Sequence, residues 1–334
     1  MAILPFYWPG YEPTEGSFPT EAEKINASRD WCLQNNITLK GHPILWSREQ
    51  SPLVWFSTQY PDWLPVDNDT LMMEALENRV TGVVSKFEGQ IDHWDVVNEP
   101  IHTIPFAHMS RVDYVYNALV WANQTNPNAH LYVNEYGILG HDFGNGPYYN
   151  LLSDLIARDA PFEIIGLQSH DGNVHADWIP ATEIWRTFNA YAELGKTIHI
   201  TEFMPTSAPL PITNSWKKGM WSEETQAEYA SRVHRLAFSH PAVGGVVWWG
   251  FIDGSPSTAG HGLLNTTLGP KPVYHAIDQL INGEWRTSGF ELTNSTGWID
   301  FTGYYGVYNI SLPSGAHQLV NVESKGENSF VIEV

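Results

Sequence analysis

Short apolar runs alternate with longer stretches in which apolar residues recur every three or four positions. The runs AILPFYW (2–8), ITLKGHPILW (37–46), IDHWDVV (91–97), HLYVNEY (130–136), EIIGLQSH (163–170), TIHITEF (197–203) and VGGVVWWG (243–250) read as strands. Segments 20–34, 70–88, 111–125, 147–159, 181–194, 223–239 and 272–281 read as helices; Leu71, Ala75, Leu76 and Val80 show the spacing. Strands that alternate with helices pair in parallel through right-handed crossovers. The pattern predicts an α/β fold, a (β/α)8 TIM-type barrel, over residues 1–283. Only seven strands are legible, so one is expected to be missing, the first, ahead of Met1. From residue 284 the pattern changes to period two, punctuated by Gly, Asn and Ser, in GFELTNSTGWIDFTGYYGVYNISL and HQLVNVES. Residues 284–334 are expected to form a small C-terminal antiparallel β-module docked on the barrel.

The composition narrows the partners. Of 334 residues, 37 are acidic and 17 basic, a net charge of -20. That surface repels nucleic acid and anionic membranes and suits a neutral polysaccharide or oligosaccharide. No apolar run approaches the ~20 residues of a membrane-spanning helix. A single cysteine, Cys32 in the helical run SRDWCLQNN, rules out an intrachain disulfide and is expected to pack in the core. The 15 Trp, 15 Tyr and 14 Phe exceed what ordinary cores use, and indole faces stack on sugar rings. Asn-X-Ser/Thr sequons at Asn26, Asn36, Asn68, Asn123, Asn265, Asn294 and Asn309 suit a secreted, extracellular glycoprotein.

In this architecture chemistry collects at the C-terminal ends of the strands. Those ends deliver His42 and Trp46, then Asn98 and Glu99, then Asn134, Glu135 and Tyr136. They continue with Gln168 and His170, Glu202, and Trp248 and Trp249. WDVVNEP and IHITEF each end an apolar strand in a glutamate. Two carboxylates among hydrogen-bonding neighbours are what glycoside hydrolysis uses, one as a proton donor and one ionised. HDGNVH and GHG lack the two-histidine spacing of a zinc helix, so neither metal nor cofactor is expected.

The ordered set GHPILW, WDVVNEP, LYVNEY, GLQSH, ITEF and VVWWGF, with YEPTEGSF before it, resembles glycoside hydrolase family 10, the barrel endo-β-1,4-xylanases, over residues 1 to about 281. The resemblance implies Glu99 as general acid/base and Glu202 as nucleophile of a retaining double displacement. It implies that His42 and Trp46 line the reacting sugar, that Asn98 bonds its 2-hydroxyl, that Gln168 and His170 flank the nucleophile, and that Trp249 is the platform beneath. Asn134 and Tyr136 belong to the same substrate-binding rim. Three places depart from the family. Ile3, Leu4 and Tyr7 stand where it has a Glu-Asn pair and a lysine. Met204 stands where an aspartate supports the histidine matching His170, and FIDGSPSTAGHG lacks the family's second tryptophan. Three readings follow: an endo-β-1,4-xylanase, a retaining hydrolase of another β-linked glycan or glycoconjugate, and a barrel that binds sugar without cleaving it.

Overall fold

A computed structural model describes residues 1–18, 20–49, 58–170, 176–254, 260–323 and 328–332. All of HDGNVH after His170, the centre of FIDGSPSTAGHG and the end of HQLVNVES lie outside the described residues. Two compact units are present, Met1–Val273 and Tyr274–Val334.

The first unit is built on β1 (Ala2–Pro5), β2 (Leu39–His42), β3 (His93–Asn98), β4 (His130–Glu135), β5 (Ile164–Leu167), β6 (Thr197–Phe203) and β7 (Val243–Trp248). These pair in chain order, every pair parallel. β1 and β7 are the two edges, and the described residues contain no eighth strand in this sheet. The result is an arc of a TIM-type barrel with an incomplete strand set. β3, β4 and β5 are buried almost throughout, whereas the edge strand β7 is largely half-exposed. That difference is what a missing neighbour produces in a parallel sheet, whose strands are otherwise covered on both faces.

The connecting helices are α1 (Trp8–Tyr11), α2 (Thr20–Gln34), α3 (Asp69–Lys86), α4 (Arg111–Thr125), α5 (Pro147–Ala157), α6 (Ala181–Ala192) and α7 (Glu223–Ser239). Their starts follow from local chemistry. Asn68 and Ser110 accept from the backbone of Leu71 and Asp113, and Ser222 forms a reciprocal box with Thr225. Pro147 opens α5, where its missing N–H costs nothing. Cys32 packs inside, as its helical setting predicts.

Several boundaries differ from the sequence pattern, for identifiable reasons. The run 37–46 pairs as a strand only to His42, because Pro43 has no N–H to give; Leu45 rejoins Val97 as an isolated bridge. This break swings Trp46 and Arg48 over the strand ends. The run 163–170 stops pairing at Leu167, and Ser169 turns with φ 63°. The helix α8 (Pro272–Asp278) loosens into a π-helical turn at Gln279–Glu284. Among the described residues of the second unit, β8 (Gly306–Ser311) and β9 (His317–Val322) are the strands that pair, as an antiparallel hairpin. The alternating stretch before it forms no strand, because the Asn294 carboxamide oxygen accepts from the backbone N–H groups of Thr296 and Trp298. Such side-chain capture competes with sheet pairing.

The barrel interior is not purely apolar. Lys40 lies 2.8 Å from Asp95, and both are buried. Nearer the N-terminal ends of the strands, the Tyr132 hydroxyl bridges His93 and His199, at 3.0 and 3.2 Å. Burial pushes both imidazoles down to about 4, so they stay neutral beside Lys40.

Candidate active site

Glu99 leaves β3 with φ 53°, a left-handed conformation unusual for a residue with a side chain. Its N–H donates to Asn134 O and its carbonyl accepts from Thr103 Oγ1, at 2.8 and 3.0 Å. These two bonds hold a turn that costs about 1 kcal/mol on its own. The turn stops the strand from continuing and presents the carboxylate at the rim. Oε2 accepts from Trp46 Nε1 and Arg48 Nη1, each at 3.1 Å, and Oε1 accepts from Gln168 Nε2 at 3.3 Å.

Glu202 sits inside β6, one residue before its end. Its Oε1 accepts from Asn134 Nδ2 at 2.8 Å, and its Oε2 lies 2.5 Å from His170 Nε2. A carboxylate offers only lone pairs, so Nε2 carries the hydrogen in that bond. His42 Nδ1 stands 3.9 Å from Oε1 and 2.7 Å from Asp95 Oδ2.

A continuous chain of amides joins the two carboxylates. Gln168 Nε2 also donates to Asn98 Oδ1, and Asn134 Nδ2 donates to that same oxygen, at 3.1 and 3.0 Å. Asn134 is oriented in turn by Thr201 Oγ1, 2.6 Å from its Oδ1. Both bonds to Asn98 fall on its oxygen, which fixes the amide with its NH2 turned to donate. Gly166 makes room for this chain, since a Cβ there would lie 2.4 Å from Asn134 Oδ1.

The surroundings set the two glutamates apart. Burial, with the charges of Glu135 and Glu202, pushes the Glu99 carboxyl up to about 7 against the opposing pull of Arg48 and Gln168. Burial also acts to raise Glu202, but His42 and His170 outweigh it and hold that carboxyl below its ordinary value. One glutamate is poised to carry a proton near neutrality and the other to stay ionised. Paired carboxyls driven apart in this way are the chemical signature of acid and nucleophile in one site.

Aromatic rings close the floor and one flank. Trp249 meets His42 and His170 edge-on, with ring centres 5.2 and 6.0 Å apart. Tyr7 packs edge-on against His42 at 5.7 Å and leans toward Trp46 at 5.9 Å. Its phenol stays protonated, pushed up by burial and by the charges of Glu202, Glu99 and Asp95. On the other flank, beyond Glu99, His102 stacks on Tyr136 with ring centres 3.9 Å apart.

The glycosyl hydrolase family 10 model matches residues 7–280 of this chain. The chain belongs to that family. It is 30% identical over 95% of its length to Endo-1,4-beta-xylanase 3 of Arabidopsis thaliana, and spans 40% of that relative. It is 29% identical over 75% of its length to Endo-1,4-beta-xylanase B of Thermotoga neapolitana, and covers 72% of it. Another relative, 25% identical over 91% of the chain and covered to 36%, is Anti-sigma-I factor RsgI6 of Acetivibrio thermocellus. Among solved structures, xylanase 10B of Thermotoga petrophila RKU-1 in complex with xylobiose superposes with a TM-score of 0.67 at 25% identity. The match covers 84% of this chain and 86% of that one.

Within this family 10 chain, the fold brings the sequence-selected residues together at one rim. His42, Trp46, Asn98, Asn134, Gln168, His170 and Trp249 all surround Glu99 or Glu202, and Tyr136 sits beyond Glu99 on the stacked pair. Gln168 differs in detail from its expected place: its side chain reaches Glu99 and Asn98, whereas His170 alone of the two bonds the Glu202 side chain. Sequence reasoning missed four contributors. Arg48 follows Trp46 past the Pro43 break, where strand periodicity ends. Asp95 and Lys40 sit mid-strand and read as core positions. Glu135 reads as a strand end, but not as a fully buried acceptor of Ile101 N, Tyr136 N and His102 Nδ1, whose charge raises Glu99 more than that of Glu202 does. Met204, at the family's aspartate position, is buried and offers only its backbone oxygen, 3.1 Å from His261 Nδ1.

Proposed function

We propose that this chain is a retaining endo-β-1,4-xylanase that hydrolyses xylan by double displacement. Glu202 attacks the anomeric carbon while Glu99 protonates the departing oxygen. Glu99 then takes a proton from water in the second step. The observation that carries this reading is the opposed electrostatics of the two glutamates, one raised to about 7 and one lowered, joined by one hydrogen-bonded amide chain. The Asn98 amide, fixed to donate, supports a bond to the 2-hydroxyl of the reacting sugar that strengthens as positive charge develops. His42, Trp46 and Trp249 form the wall and floor for that sugar, and Tyr136 the start of the leaving-group side. Retention requires the carboxyls ~5–5.5 Å apart, and NMR of the anomer released first tests it directly.

A pH profile follows from the same groups. Glu99 is the acid, so its raised value sets the basic limb: kcat/KM is expected to fall tenfold per pH unit above a midpoint of about 7. Glu202 must be ionised, and its lowered value places the acid limb below the ordinary glutamate range. A basic limb centred near 4 to 5 would contradict the assignment of Glu99.

Leu4 and Tyr7 favour a second reading, a hydrolase of another β-linked glycan. Leu4 is buried and cannot bond a hydroxyl, and Tyr7 fills its place with a ring against His42. Two or three lost hydrogen bonds at ~0.5–1.5 kcal/mol each weaken the non-reducing side by roughly one to three powers of ten. Short linear xylo-oligosaccharides are therefore expected to be poor substrates beside a decorated xylan. A cleavage map of reducing-end-labelled xylohexaose decides: efficient cleavage with two sugars held on the non-reducing side favours the plain xylanase. No reducing sugar from xylans, β-glucans or aryl glycosides would favour sugar binding without cleavage, a reading that the incomplete strand set and Met204 in place of the family's aspartate support.

A further inference from the structure

The only cation bonded to the Glu99 carboxylate among the described residues is Arg48, at 3.1 Å. This pairing is chemically odd for a proton donor. The bonds to the Glu99 carboxylate from Trp46, Arg48 and Gln168 all come from donors, so each favours the anion. A guanidinium there works against the very protonation that burial and two neighbouring carboxylates promote. Arg48 is also not sealed in. Its side chain keeps 20% of its surface in solvent, against 8% for Glu99.

A second donor stands on the same flank. His102 Nδ1 bonds the buried Glu135 at 2.8 Å, and that bond above all raises its affinity for a proton, against burial and the nearby charge of Arg48. Its side chain is 40% exposed and stacks on Tyr136. Glu49, next to Arg48 in sequence, is engaged by the Tyr60 hydroxyl at 3.2 Å. A part-exposed guanidinium, an exposed imidazole and an aromatic face therefore gather beyond the acid, in a chain whose net charge is -20. The leaving group of a glycosidase lies on this side, because the acid must reach the departing oxygen.

We propose that Arg48, with His102 beside it, recognises a carboxylate-bearing branch on the sugar at the leaving-group side, the ligand's carboxylate taking over the guanidinium from Glu99. The substrate class is then a β-linked glycan with uronic acid side residues. This inference rests on the leaving-group side assigned to Glu99 in the reading above. A planar guanidinium matches a carboxylate with two parallel bonds, which neutral sugars cannot offer. Transfer of Arg48 to the ligand also removes its pull on Glu99, so a branched substrate assists its own protonation.

The test compares a uronate-branched xylan with the same polymer after its carboxyl groups are reduced to alcohols. A charge-assisted contact of ~1.5–3 kcal/mol corresponds to roughly 10- to 100-fold. The wild-type kcat/KM is expected to favour the uronate polymer by about that factor, with the ratio shrinking as salt is added. Arg48→Gln is expected to bring the ratio close to one, whatever it does to the absolute rate, and Arg48→Lys to leave it intermediate. Equal rates on both polymers with the wild-type protein would overturn the inference without touching the hydrolase reading. So would a preference that survives in a folded Arg48→Gln. If neither polymer is cleaved, the hydrolase reading fails, and calorimetry with a uronate-branched oligosaccharide and its reduced counterpart still decides. Tighter binding of the uronate form, lost in Arg48→Gln, upholds the inference, and equal binding overturns it.

Discussion

Glu202→Ala is expected to abolish turnover of every substrate, natural or activated, by about four to six powers of ten. No neighbouring group can replace it. Asn134 and His170 donate to its oxygens, His42 Nδ1 stands 3.9 Å off and bonds Asp95 instead, and none of the three has an anion to attack with. Glu99→Ala should behave differently. A good leaving group needs little protonation, so the first step on an activated aryl glycoside survives, while unactivated xylan loses the ~10²–10⁴-fold due to general acid help. Added azide should restore turnover of the aryl glycoside in Glu99→Ala, because it attacks without a base, and should do nothing for Glu202→Ala. Initial rates on both substrate types, with and without azide, separate the roles. Equal losses on both would leave the assignment of acid and nucleophile without support. The circular dichroism of each variant should match the wild type, since removal of one buried carboxylate relieves desolvation as well as breaking bonds.

Asp95→Ala is expected to lower stability by about 3–5 kcal/mol and to cut activity along with it. The reason is Lys40. Its ammonium is fully buried, 2.8 Å from Asp95, with the Tyr132 ring 4.1 Å away as its other described neighbour of favourable charge. Removal of the aspartate strands that cation in the barrel. Lys40 and His42 hold Asp95 below its ordinary value despite complete burial, which shows how strongly the pair depends on both partners. His42 loses the acceptor that fixes its ring beside Glu202, so the surroundings of that carboxylate loosen too. Urea unfolding followed by tryptophan fluorescence measures the first effect. A double change, Lys40→Met with Asp95→Leu, should recover most of the stability but not the activity, because a buried ion pair is replaceable by apolar packing while the His42 anchor is not. A loss under 1 kcal/mol in Asp95→Ala would show that the pair is solvated or compensated in a way the geometry does not contain.

Much of the barrel was legible because two periodicities carry it. Buried parallel strands are apolar on both faces, and helices that cover them are apolar on one. Boundaries slipped where a local chemical event overrode the pattern: Pro43 in the second strand, Ser169 after the fifth, and the Asn294 turn in the C-terminal unit. Among the described residues of that unit an alternating sequence forms one hairpin and no more, because period two describes a half-buried strand only if a partner strand exists to pair with it.

By itself the sequence determined the alternation of strands and helices, the parallel order, the seven-strand count, and the placement of Glu99 and Glu202 at strand ends. Each of these is local: it depends on residues within one element and on the rule that strand ends carry the chemistry. Only the tertiary structure decided what those carboxylates are surrounded by. Arg48 reaches Glu99 across 51 positions of chain, and Asn134 reaches Glu202 across 68. Glu135 and Asp95 charge the site from positions that read as ordinary core. Glu99 and Glu202 differ in proton affinity because of these distant neighbours, and burial and Coulomb interactions depend on distance in space rather than on separation in sequence.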